Sequence, residues 1–260
     1  MGLVVTLDNG QRVHYRDYGG QGAPVLMIHS FLMDYEMFAP QVAELGEQFR
    51  LIGVDARGHG GTPGETPFDY WDIARDMIGL MDALALDQAA VMGTSQGGFI
   101  ALRMAILAPE RISALCLMGT CATAEAPDTA MAYRNIVADW AQNGPDAQVD
   151  MVASLSMGDF DATEIKKEWR KVDGEQLVRN MEALAGRDGL LPRLGEVRCP
   201  VLILHGSSDA AYALRRAEEI AEGVAAAEPL VVIEGGSHYL SLTHPQAINP
   251  HLSRFLTNKV

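Results

Sequence analysis

The chain is poor in the features that would place it outside ordinary globular proteins. It has three cysteines in 260 residues, Cys116, Cys121 and Cys199, which cannot form a closed set of pairs. Cys116 and Cys199 sit inside apolar runs, where a buried thiol is the plain reading, so a disulfide-built fold is not expected. No apolar run approaches the length of a membrane span. Positive charge is scarce, with 20 Lys and Arg against 34 Asp and Glu, a net charge of −14. With a pI near 4.8, the chain lacks the basic patch that nucleic acid or an anionic bilayer requires. The seven histidines show no close ligand spacing, so no metal site is expected. No basic segment followed by an apolar core opens the chain, so no signal peptide is expected and a cytoplasmic location fits. Met1-Gly2-Leu3-Val4-Val5-Thr6 matches a loose acylation pattern. No basic patch follows it, and residues 3–7 read better as a strand.

What is present is alternation. Residues 3–7 and 12–18 flank Asp8-Asn9-Gly10-Gln11, a hairpin signal. Continuous apolar runs then recur at 24–29, 51–55, 89–93, 112–118, 201–205 and 230–234, the pattern of strands covered on both faces. Helical periodicity fills the gaps at 70–86, 95–107, 211–223 and 245–257. This predicts an α/β fold: a mainly parallel sheet, helices on both faces, and the opening hairpin as an antiparallel edge. One stretch breaks the rhythm. Residues 122–186 read as helix at 128–142, 148–155, 163–171 and 174–185, punctuated by Gly144-Pro145 and Gly158-Asp159. The expected organisation is therefore a core of 1–121 and 187–260, with 122–186 a helical insertion roofing the carboxyl ends of the strands, where such sheets bind ligands.

The strongest local signal is Gly93-Thr94-Ser95-Gln96-Gly97-Gly98, a G-x-S-x-G motif between a buried strand and a helix. A sharp turn there strains the serine backbone, crowds the flanking glycines and lifts Ser95 Oγ above a helix N-terminus. A serine hydroxyl needs a base and a carboxylate to orient that base. Asp209 and His238 each follow a later buried run and stand at the same sheet edge as Ser95. Other histidines fit bracing roles: His29, His59 and His205 on loops, and His244 at a helix start. Asp55 fits a residue that orders its own loop through backbone N–H groups. The loop after residue 118 carries no acid before Glu125.

On these residues, and on His29-Ser30-Phe31-Leu32 and Asp55-Ala56-Arg57-Gly58-His59-Gly60-Gly61-Thr62, the chain resembles the α/β-hydrolase superfamily in its compact form with a helical cap. The resemblance spans the whole chain and is weakest across 122–187. It implies an eight-stranded sheet, a Ser95–His238–Asp209 triad, and an oxyanion hole from the N–H groups of Phe31 and Gln96. Ser30 stands where the family commonly has glycine, and its surroundings are similar to those of enol-lactone hydrolases. The expected pocket residues are Ser30, Met33, Cys121, Met131, Trp140 and Tyr239. The implied activity is cleavage of a small or medium apolar carboxylic ester or lactone, with no cofactor. The same triad supports two alternatives: hydrolysis of a carbon–carbon bond in a diketone, and perhydrolysis. A non-catalytic ligand receptor on the same fold is the alternative of another kind. Dehalogenase chemistry would want Asp at position 95. Oligomeric state is left open, a homo-oligomer included.

Overall fold

The computed structural model describes residues 2–260; Met1, the first residue of the acylation-like pattern and of the expected core, lies outside the described residues. The opening hairpin pairs β1 (Leu3–Thr6) with β2 (Arg12–Asp17). Then follow β3 (Pro24–Ile28), a short 3-10 turn (Tyr35–Phe38), α1 (Ala39–Leu45), β4 (Arg50–Val54) and α2 (Tyr70–Ala83). Next come β5 (Ala89–Thr94), α3 (Gln96–Leu107) and β6 (Ile112–Met118). Four helices intervene: α4 (Pro127–Asn143), α5 (Asp146–Met157), α6 (Thr163–Trp169) and α7 (Gly174–Ala185). The chain closes with a 3-10 turn (Leu191–Glu196), β7 (Val201–Gly206), α8 (Arg215–Gly223), β8 (Val231–Ile233), α9 (Leu240–Thr243) and α10 (Pro245–Lys259).

The strands form one eight-stranded sheet in the order β1-β2-β4-β3-β5-β6-β7-β8. β1 and β2 are antiparallel to their neighbours, and β3 to β8 run parallel. The apolar runs explain the centre: Val25 to Ile28, Leu115 to Met118 and Val91-Met92 are completely buried between helices on both faces. α2 shows how sequence sets an element. Asp69 and Asp72 form a reciprocal capping box, and Ile73, Met77, Leu80 and Met81 bury one stripe. The sheet order reverses beside β3, with β4 on one side and β5 on the other. Loops leaving the carboxyl ends of β3 and β5 therefore diverge and open a crevice between them.

Several elements differ from the periodicity. The helix expected at 211–223 begins at Arg215, because the preceding turn wraps around the Asp209 carboxylate instead. The last strand is only Val231–Ile233, and α1 was not visible as a periodic run. All three cysteines are buried and unpaired. Among the described residues, no helix is long and apolar enough to cross a membrane.

Candidate active site

The site begins at the end of β5. Ser95 has φ 52° and ψ −112°, a left-handed conformation that costs a non-glycine residue of the order of 1–3 kcal/mol. The surrounding structure enforces it. Ser95 N–H donates to Met118 O at 2.9 Å, and Ser95 O accepts from Thr120 Oγ1 at 2.7 Å and from Gly98 N–H at 2.9 Å. A Cβ on Gly93 would stand 2.4 Å from the Gly97 backbone, and one on Gly97 only 1.9 Å from Ile28 O. Both positions accept only hydrogen, so the turn can be this sharp.

Two loops from the other half of the sheet meet the serine. His238, on the loop after β8, places Nε2 2.9 Å from Ser95 Oγ. Its Nδ1 lies 2.8 Å from Asp209 Oδ2, on the loop after β7. The other Asp209 oxygen accepts the N–H groups of Ala211 (2.8 Å) and Tyr212 (2.9 Å). Burial pushes the Asp209 pKa up, but the hydrogen bond and charge of His238 and the Tyr212 N–H outweigh it. The net direction is down, so Asp209 is a carboxylate that acts as acceptor only. With Nδ1 donating to it, His238 Nε2 is left as the acceptor facing the hydroxyl. Tyr212 sets its ring edge-on to His238, with centroids 5.3 Å apart.

The loop after β3 forms the opposite wall. His29 donates from Nδ1 to Ser30 O (2.7 Å) and accepts Ala56 N–H at Nε2 (2.9 Å). Leu32 adopts φ 64° in a turn closed by Met33 N–H to Ser30 O. Tyr239 OH donates to Phe31 O at 2.7 Å, fixing that peptide against the residue after His238. Gln96 is the first residue of α3, so its N–H has no acceptor one turn back in the helix. Above Ser95 lies a cavity of about 310 Å³. Its walls are Phe31, Leu32 and Tyr239 from the core loops, and Val137, Trp140, Val152, Leu155, Leu177 and Met181 from the inserted helices.

The profile of the alpha/beta hydrolase fold family matches residues 23–155, more than half of the chain. The chain belongs to the α/β-hydrolase family. It is 29% identical over 256 residues to the human serine hydrolase BPHL, covering 95% of this chain and 84% of that protein. It is 27% identical over 244 residues to 3-oxoadipate enol-lactonase 2 of Acinetobacter baylyi, covering 91% and 90% of the two chains. The enol-lactonase of Burkholderia xenovorans LB400 superposes with a TM-score of 0.90 at 26% identity, over 98% of this chain and all of the other. The protein is thus an enzyme of the α/β-hydrolase fold.

Within this hydrolase the expected pocket residues separate. Trp140 and Tyr239 line the cavity above Ser95. Met131 does not: it is 58% exposed on the far side of the same helix as Trp140. Met33 borders a separate groove with Gly58, His59 and Lys171, on the other side of Leu32. Cys121 is buried away from the cavity, with Arg187 Nη2 at 3.5 Å and Thr123 Oγ1 at 3.6 Å from its sulfur. Ser30 is fully buried inside its loop and does not reach the cavity surface. The bracing residues stand where bracing is needed. Asp55 accepts the N–H groups of Gly61 and Tyr35, and His205 Nε2 donates to Tyr212 O at 2.9 Å. Among the described residues, no group of three or more His, Cys, Asp or Glu is arranged to hold a metal ion.

Two residues of the site escaped the sequence reading. Tyr212 was hidden in Ala-Ala-Tyr-Ala, a string with no motif, though it follows Asp209 by one turn. Gly119 has φ +53°, and a Cβ there would lie 2.6 Å from His238 O. Its place right after β6, level with the other two loops, was the available signal.

Proposed function

We propose that this hydrolase cleaves uncharged carboxylic esters, open-chain or lactone, through an acyl-enzyme on Ser95. The reading rests on one observation: the unbroken contact from Ser95 Oγ through His238 to Asp209, at 2.9 and 2.8 Å. His238 Nε2 takes the hydroxyl proton as Oγ attacks the carbonyl carbon. Asp209 holds Nδ1–H and stabilises the imidazolium that forms. The oxyanion is received by the N–H groups of Phe31 and Gln96, the second at the positive end of α3, each contributing roughly 3 kcal/mol. His238 then protonates the leaving alkoxide. Water, deprotonated by the same nitrogen, attacks the acyl carbon and releases the acid and Ser95.

Substrate class follows from the walls. No Lys, Arg, Asp or Glu lines the cavity, so a charged substituent would lose hydration and find no partner. The inserted helices supply most of the apolar lining and act as the roof of the site. The relatives named as a serine hydrolase and an enol-lactonase support the ester and lactone reading. The test is turnover of p-nitrophenyl butyrate together with labelling by a fluorophosphonate. The parent should turn over and be labelled; Ser95→Ala should lose both, with an unchanged circular dichroism spectrum. Retained turnover in S95A removes the assignment, and an unlabelled, inactive parent favours the ligand-receptor alternative.

A further inference from the structure

Arg187 stands where the chain returns from the inserted helices to the sheet, and no step above uses it. Its side chain is almost fully buried, and its guanidinium is spent in several directions at once. Nε donates to Thr123 O at 3.2 Å, on the segment where the insertion leaves β6. Nη1 donates to Leu184 O at 2.9 Å, at the end of α7 where the insertion closes. Nη2 pairs with the Glu125 carboxylate and lies 3.3 Å from Tyr212 OH. The guanidinium carbon also lies over the Phe99 ring, 4.3 Å from its centroid.

We propose that Arg187 is a positioning residue that couples the roof to the acid–base pair: one guanidinium clamps both ends of the insertion and, through Tyr212, the loop after β7 that carries Asp209 and packs against His238. The geometry of Tyr212 makes the second half of the link. Its N–H donates to Asp209 Oδ1 and its ring packs edge-on against His238. Its carbonyl is held by His205. Fixing the Tyr212 hydroxyl therefore fixes the turn that presents Asp209. Only a planar group with five donors can reach the two carbonyls, the carboxylate and the phenol together. An apolar side chain of the same volume would fill the space without direction. Glu125 balances the buried charge, so the clamp stands without a counter-ion from solvent.

The inference rests on the Ser95 reading, and its test separates the two. Rates are expressed per serine titrated by fluorophosphonate, on p-nitrophenyl acetate and p-nitrophenyl octanoate. The acetate leaves the roof nearly unused, and the octanoate needs it. In Arg187→Met, kcat on acetate should fall tenfold or more, and KM for octanoate should rise at least fivefold. Arg187→Lys, with charge but no fork, should recover part of the kcat. Tyr212→Phe should lower kcat three- to tenfold on both esters while KM for octanoate stays within twofold. A merely structural arginine would lower the melting temperature and the titratable fraction, yet leave kcat per titrated serine unchanged; that result overturns the proposal. If R187M does not fold, Y212F decides, and an unchanged kcat overturns the coupling. An unlabelled parent overturns the serine reading itself, and the clamp's catalytic role with it.

Discussion

At the scale of single residues, the site depends as much on missing atoms as on present ones. Gly119 carries no chemistry, but its left-handed backbone and the nearness of His238 O leave no room for a methyl group. Gly119→Ala is expected to cost about 1–2 kcal/mol of backbone strain. It should also displace the loop that carries the base. The expected outcome is a kcat lower by about tenfold, roughly 1.4 kcal/mol in the barrier, with KM little changed. Steady-state kinetics beside a melting curve checks it; a variant that only melts earlier would deny Gly119 a part in the alignment. Ser95, Asp209 and His238, the proposed triad, were legible because each is a polar residue just past a buried strand, and strand ends fix where their side chains gather. The proposed oxyanion donors, Phe31 and Gln96, come only through resemblance, because a backbone N–H leaves no mark on residue identity.

At the scale of elements, the sheet and the inserted helices differ in how clearly sequence announces them. Strand period and burial on both faces leave one orientation for each residue, so the sheet followed from the apolar runs. A helix that roofs a cavity has two apolar faces, one toward its neighbours and one toward the ligand. Met131 and Trp140 sit on the same helix, α4, yet one is exposed and the other is 3% exposed against the cavity. Their difference is a matter of helix rotation, which composition does not encode. Trp140 also makes an element-level prediction. Trp140→Ala should deepen the cavity and cost about 3–5 kcal/mol of stability. The ratio of kcat/KM for p-nitrophenyl decanoate over butyrate should rise at least fivefold. An unchanged chain-length profile would mean that α4 does not bound the acyl group.

At the scale of the whole molecule, stability toward acid carries the signature of a buried imidazole. His59 is pushed from 6.5 down to about 3, chiefly by burial and then by the neighbouring His29, with the Arg57 carbonyl opposing. Between those two values the unfolded chain binds a proton that the folded chain refuses. Stability is therefore intact above pH 6.5 and falls as pH drops toward 3, by up to about 1.4 kcal/mol per pH unit from this group. Asp209 adds its own loss only below the ordinary carboxylate range, since its folded pKa is depressed. Urea unfolding from pH 7 to pH 4 should show this slope in the parent and a shallower one in His59→Gln. Equal slopes would assign the acid lability to other groups.

One contact reaches further than its size. The N–H of Tyr239, the residue after His238, donates to Ser156 O at the last turn of α5 at 2.9 Å. The peptide beside the base is thus held by the insertion rather than by the sheet. Grafting another protein's roof onto this sheet would then be more than a change of wallpaper. A transplant must end its second helix with a free carbonyl at that spot, or the chimera will bind new molecules with the proposed base short of one of its anchors. Diversification of this scaffold by exchange of its helices is filtered by that single acceptor before any question of fit to substrate arises.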